Sequence, residues 1–95
     1  MNLQNQNILP INWKTENVIS FLDSIGLSIF STIFQKNDIN GKDLMSINEN
    51  HLNNEFNLGT FHQKFKLLRH IEKLKLAQQL KGNIIRNNYK RLLFS

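Results

Sequence analysis

Residues 60–74 narrow most sharply what this chain can become. Thr60-Phe61-His62-Gln63 has the form of a capping box, in which Thr60 caps a helix and Gln63 reaches back to the free backbone donor. Phe61, Phe65, Leu68, Ile71 and Leu74 then recur at helical spacing, with Leu67 alongside. The pattern predicts a long helix with this stripe in the core. Lys64, Lys66, Arg69 and Lys73 stand off the stripe and are expected to face water.

The residues before it divide into shorter pieces of the same kind. Thr15 is expected to cap a first helix carrying Val18, Phe21, Leu22 and Ile25, closed by Gly26 in the left-handed position. Ser28 is expected to cap a second, with Phe30, Ile33 and Phe34. Ile39-Asn40-Gly41 reads as a turn, because Asn and Gly tolerate the left-handed region. Leu44 and Met45 mark a third short helix. Asn48 caps a fourth with Leu52 and Phe56, and Asn57 stands where a left-handed cap is expected. Gly82-Asn83 offers a stop before a second basic amphipathic segment with Ile84, Ile85, Tyr89, Leu92 and Leu93. Gly82 costs only about 1 kcal/mol inside a helix, so helix is expected on both sides of it. No strand-like alternation of useful length occurs. The predicted fold is all-α: a five-helix bundle with a long C-terminal helix and an extra helical extension. The expected division is a flexible lead-in over 1–11, a domain over 12–76 and a basic extension over 77–95.

With 95 residues the chain has room for one small core. It has no cysteine, no apolar run of membrane-spanning length and no secretory leader, which leads to the expectation of a cytoplasmic protein. The net charge of +5 is unevenly spread. Residues 1–61 hold three bases against six acids, and residues 62–95 hold nine bases against one acid. Such asymmetry suits nucleic acid, an acidic surface or a partner of opposite sign, a second copy included.

Catalysis finds little support. His51, His62 and His70 form no metal-binding spacing, and the four glycines are isolated, so no phosphate-cradling loop is formed. Asp38 and Asp43 share a short loop that suggests solvent rather than a tuned acid pair. The chain is expected to be neither an enzyme nor a holder of a cofactor or metal.

The ordered series Trp13, Val18, Phe21-Leu22, Ile25-Gly26-Leu27, Phe30, Phe34, Ile39-Asn40-Gly41, Leu44-Met45, Asn48-Glu49, Leu52, Lys64, Leu67-Leu68 and Ile71 resembles the sterile alpha motif (SAM) domain over residues 12–76. That resemblance implies a five-helix interaction module, in which an acidic mid-loop surface of one copy meets a basic surface at the start of the fifth helix of another. On this chain the acidic surface would be Asp38, Asp43, Glu49 and Glu55, and the basic surface His62, Lys64, Lys66 and Arg69. Two departures stand out: Asn57 replaces a frequent Gly, and His62-Gln63-Lys64 replaces a frequent Gly-His-Arg. The expected function is protein–protein assembly with itself or another SAM domain, in a larger signalling or scaffold protein. RNA-hairpin or acidic-lipid binding through the basic C-terminal helix is the alternative. Nucleic acid ranks lower because Phe61 and Phe65 are assigned to the core, which leaves no aromatic to stack a base. The segment with Ile84, Ile85, Tyr89, Leu92 and Leu93 is a candidate contact for a second copy, a calmodulin-like partner or a lipid surface.

Overall fold

The structure, a computed structural model, describes the backbone of residues 9–94 and the side chains of residues 9–80. Five α-helices and two 3-10 turns make up the described residues, with no strand among them. A 3-10 turn at Pro10–Asn12 leads into α1 (Thr15–Ser24); a second at Ser28–Phe30 runs into α2 (Ser31–Lys36). Then come α3 (Gly41–Ser46), α4 (Glu49–Asn53) and the 34-residue α5 (Phe61–Phe94).

Local hydrogen bonds explain most boundaries. At the end of α1, Leu27 N–H donates to Leu22 O and Gly26 N–H to Asp23 O, a Schellman ending with Gly26 at φ 74°. The end of α2 repeats the device: Ile39 N–H donates to Phe34 O and Asp38 N–H to Gln35 O. Here the left-handed position, φ 54°, belongs to Asp38, the one non-glycine with positive φ among the described residues. Asn40 and Asp43 cap α3 reciprocally, Asn48 and His51 cap α4, and Thr60 and Gln63 cap α5 as expected.

Four expectations about local geometry are corrected. Ser28 opens a 3-10 turn and does not cap α2; its hydroxyl donates to Asp23 Oδ1 at 2.5 Å. Thr15 is the first residue of α1 rather than its cap; its hydroxyl donates to Asp38 Oδ1 at 2.9 Å, and Asn17 Oδ1 accepts the Lys14 N–H instead. Asn57 has no left-handed backbone; the nearby positive φ is at Gly59. Asn40 is an extended N-cap rather than a left-handed turn residue. Gly41 next to it is required by contact: a Cβ there would stand 1.8 Å from Pro10 O. Its N–H donates to Trp13 O at 2.8 Å, so the segment before α1 lies directly against α3.

The core is one cluster drawn from every helix. Val18 and Leu22 of α1, Phe34 of α2, Leu44 of α3, Leu52 of α4 and Leu67 of α5 are completely buried. Phe34 packs against Phe30 and Phe56 with ring centroids 5.9 and 5.4 Å apart. Trp13 closes the end of the bundle over Phe21. Phe21 and Leu68 pack against the cluster half-buried.

The stripe expected on α5 is corrected. Its core row is Leu67, Ile71 and Leu74, and Phe61 and Phe65 face outward, 78% and 47% exposed. A residue turns about 100° around a helix, so Phe61 and Phe65 sit more than a quarter-turn from Leu67. Gly82 neither stops nor divides α5, which runs as one continuous helix where a separate sixth was a candidate.

Candidate functional site

The first turns of α5 carry the expected basic residues, and the fold aims them in different directions. His62 is exposed at the start of the helix. The Lys64 amine donates to Asn57 Oδ1 in the α4–α5 loop. Lys66 turns to the end of α1, its amine 3.6 Å from where a Cβ of Gly26 would stand. Arg69 lies over the ring of Phe65, 4.6 Å from its centroid. Phe65 in turn stacks on Phe61, with centroids 5.9 Å apart and planes 21° from parallel. Phe61, Phe65 and Arg69 thus form a continuous outward row, one turn apart.

This row borders a groove between α4 and α5, of about 150 Å³, lined by Glu49, Leu52, Asn53, Phe61, Lys64, Phe65 and Leu68. Glu49, assigned by sequence to the acidic surface, therefore stands on the basic side. The other acids are spread over the opposite elements. Asp38 is tied to Thr15 in a cleft it shares with Lys14 and Lys42. Asp43 caps α3 through the Asn40 N–H at 3.3 Å and lines a second groove, of about 210 Å³, with Ile39, Ser46, Ile47, His51 and Phe56. Glu55, one residue before Phe56, is exposed. Among the described residues the single ion pair is Glu72–Lys75 at 3.1 Å, so neither charged surface is neutralised by its own fold.

His70 packs half-buried with its ring edge toward Phe21, 6.4 Å between centroids. Burial holds its pKa below the usual 6.5, helped by the charges of Lys73, Lys66 and Arg69. Among the described residues no three His, Asp or Glu side chains gather to hold a metal ion. No helix there is long and apolar enough to cross a membrane. The side chains of Ile84, Ile85, Tyr89, Leu92 and Leu93 lie outside the described residues.

The outward Phe61–Phe65 pair was missed in the sequence, which holds no signal for it: the row Phe61, Phe65, Leu68 continues to Glu72 and the row Leu67, Ile71, Leu74 continues to Gln78, so each apolar run ends at a polar residue.

The family model of the sterile alpha motif domain matches residues 10–75, the stretch that holds all four short helices and the packed part of α5. This chain belongs to the SAM family. SAM domains are protein-interaction modules, so a surface for another protein is the relevant chemistry here. This SAM domain is similar to protein pob1 of Schizosaccharomyces pombe, 38% identical over 64 residues, 67% of this chain and 7% of that protein. It is also similar to the WD repeat, SAM and U-box domain-containing protein 1 of Danio rerio, 25% identical over 75 residues, 79% of this chain and 15% of that protein. The chain thus spans a small part of the length of either relative.

Proposed function

We propose that this SAM domain assembles head to tail with SAM domains, its own copies included. The acidic face around Asp43 and Glu55 of one molecule meets the start of α5, with His62, Lys64 and Arg69, of the next. The observation that carries this reading is the pair of oppositely charged surfaces on different elements, with no ion pair among the described residues to quench either. Such a contact is heterologous, so each bound copy keeps one free surface of each kind and an open chain can grow. At ~0.15 M salt the Debye length is ~8 Å, so the charges steer approach and act only at close range. Each exposed pair contributes about 0–1 kcal/mol, so several must act together with apolar contact. The module would serve as an assembly element of a larger signalling or scaffold protein.

The exposure of Phe61 and Phe65 removes one objection to nucleic acid but does not favour it. Phe65 is flanked along the helix by Phe61 and Arg69, which compete with a base for its faces. Protein remains the better occupant.

The test is charge reversal on separate molecules, Glu55→Lys and Lys64→Glu, followed by sedimentation. Glu55 has no structural bond to lose, which makes it cleaner than the capping Asp43. Each variant alone should self-associate more weakly than wild type, and a mixture should form a closed one-to-one pair. Unchanged association of both variants, with no effect of mixing, overturns the charged head-to-tail reading.

A further inference from the structure

We propose that Phe61, backed by Phe65 and Arg69, is an apolar anchor that seats in the Ile39–Ile47–Phe56 groove of a second copy of this chain. The inference rests on the head-to-tail reading and assigns that contact its apolar centre.

The Phe61 ring contributes little to its own fold. Phe61 keeps 78% of its surface open and the buried row of α5 lies on another side of the helix. The rings are nonetheless held in order: Phe65 stacks on Phe61, and the Arg69 guanidinium covers Phe65. Aromatic side chains presented in this way are typical of the few residues that dominate a protein interface. The chain's own C-terminal segment cannot cover them. Because α5 is continuous, residue 81 already stands ~30 Å along the axis from residue 61, at ~1.5 Å per residue, and the helix leads onward from there.

A complementary receiving site lies on the other side of α4. The second groove has apolar walls from Ile39, Ile47 and Phe56, with Asp43 at its edge. It shares no lining residue with the groove beside Phe61. One molecule can therefore offer its ring and receive another's at the same time. Charge matches as well: the ring is bordered by His62, Lys64 and Arg69, and the groove by Asp43, with Glu55 one residue before Phe56. A second copy fits both the apolar and the charged halves of this pattern.

An apolar anchor is not screened by salt, so part of the association should persist where charge pairs fail. The experiment compares the full chain with Phe61→Ala and with Ser46→Trp, by sedimentation at ~0.15 and ~1 M salt. Ser46 is an exposed groove residue at the end of α3, and a Trp there should fill the receiving site. Phe61→Ala should raise the concentration for half-assembly about tenfold or more at both salt levels. Mixing Phe61→Ala, which keeps its groove, with Ser46→Trp, which keeps its ring, should yield a one-to-one pair. A measurement independent of Ser46→Trp is the methyl resonances of Ile39 and Ile47. They should shift on titration with unlabelled wild type, and reach the same shift only at about tenfold or more higher concentration of unlabelled Phe61→Ala.

Wild-type assembly by Phe61→Ala overturns the anchor; if Glu55→Lys and Lys64→Glu still complement each other, the head-to-tail reading survives that result. A weakened Phe61→Ala that fails to pair with Ser46→Trp, with unmoved Ile39 and Ile47 methyls, also overturns the anchor, because the ring then docks elsewhere. A chain that stays monomeric at all concentrations overturns both.

Discussion

The side-chain Oε1 of Gln78 accepts the backbone N–H of Ile11 at 2.8 Å, joining positions 67 residues apart. Its Nε2 also points to Met45 Sδ at 3.9 Å, so one side chain links the N-terminal segment, α3 and α5. The family match ends at residue 75, three positions earlier. A chain ended after residue 76 should accordingly be less stable than one ended after residue 80, by about 0.5–1.5 kcal/mol for the lost bond. Urea denaturation of the two chains checks this. Equal midpoints would mean that water replaces Gln78 without cost.

The two faces of α5 should respond oppositely to truncation. Leu67 is completely buried, and Leu67→Ala should cost about 2–5 kcal/mol, enough to threaten a domain of this size. Phe61→Ala should change stability by no more than about 0.5 kcal/mol, because the ring is largely in water. Chemical denaturation of both variants decides whether the core row is Leu67–Ile71–Leu74.

Gly41→Ala tests the seam between the N-terminal segment and α3. The added methyl would meet Pro10 O and the backbone of Trp13, groups that cannot swing away as a side-chain tip can. The expected loss is about 1–3 kcal/mol or more, with larger shifts at residues 10–13 than elsewhere in an amide spectrum. Stability equal to wild type would show that the seam is loose.

His70 should make stability depend on pH. Its folded pKa lies below the usual 6.5, so the folded state binds fewer protons than the unfolded chain just below that value. Stability therefore falls as pH drops through 6.5 toward the folded pKa, and this loss levels off below it. His70→Gln should flatten the slope, read as the difference between the two proteins' denaturation midpoints across the window. An unchanged slope would assign it to another group.

Asp38→Asn separates charge from backbone geometry on the acidic side. Asn also tolerates a left-handed backbone and keeps an acceptor for the Thr15 hydroxyl. The fold should survive, with stability within about 0.5 kcal/mol of wild type. Association should change little, since Lys14 and Lys42 share the Asp38 cleft. A drop as large as that for Glu55→Lys would put Asp38 at the contact.

Where the sequence could be read correctly, the determining chemistry was local. Thr60 with Gln63 and Asn48 at the start of α4 satisfy helix donors within one turn, and Gly26 ends α1 by its own conformational freedom. Thr15, Gly41 and Asp38 were misread or passed over because a distant partner decides each: Asp38 for Thr15, Pro10 for Gly41, and Thr15 for Asp38. The candidate surfaces suffered most. The resemblance placed Glu49 on the acidic mid-loop surface, yet it lines the groove with Lys64 and Phe65. Phe61 and Phe65 fitted a helical stripe as well as Leu67 did, and only the packing of α5 separates the two rows.

That separation also bears on the thermodynamics of any encounter. Folding locks Leu67 and Ile71 into the bundle, and in doing so fixes the stations of Phe61, Phe65 and Arg69 on the same rigid helix. Much of the ordering that a partner would otherwise have to impose is already complete in the free molecule. Ordering a rotamer-rich side chain on binding costs about 0.5–1.5 kcal/mol, and a stacked, preorganised row avoids much of that cost. The entropy spent on closing the core is thus spent once, and it also serves recognition.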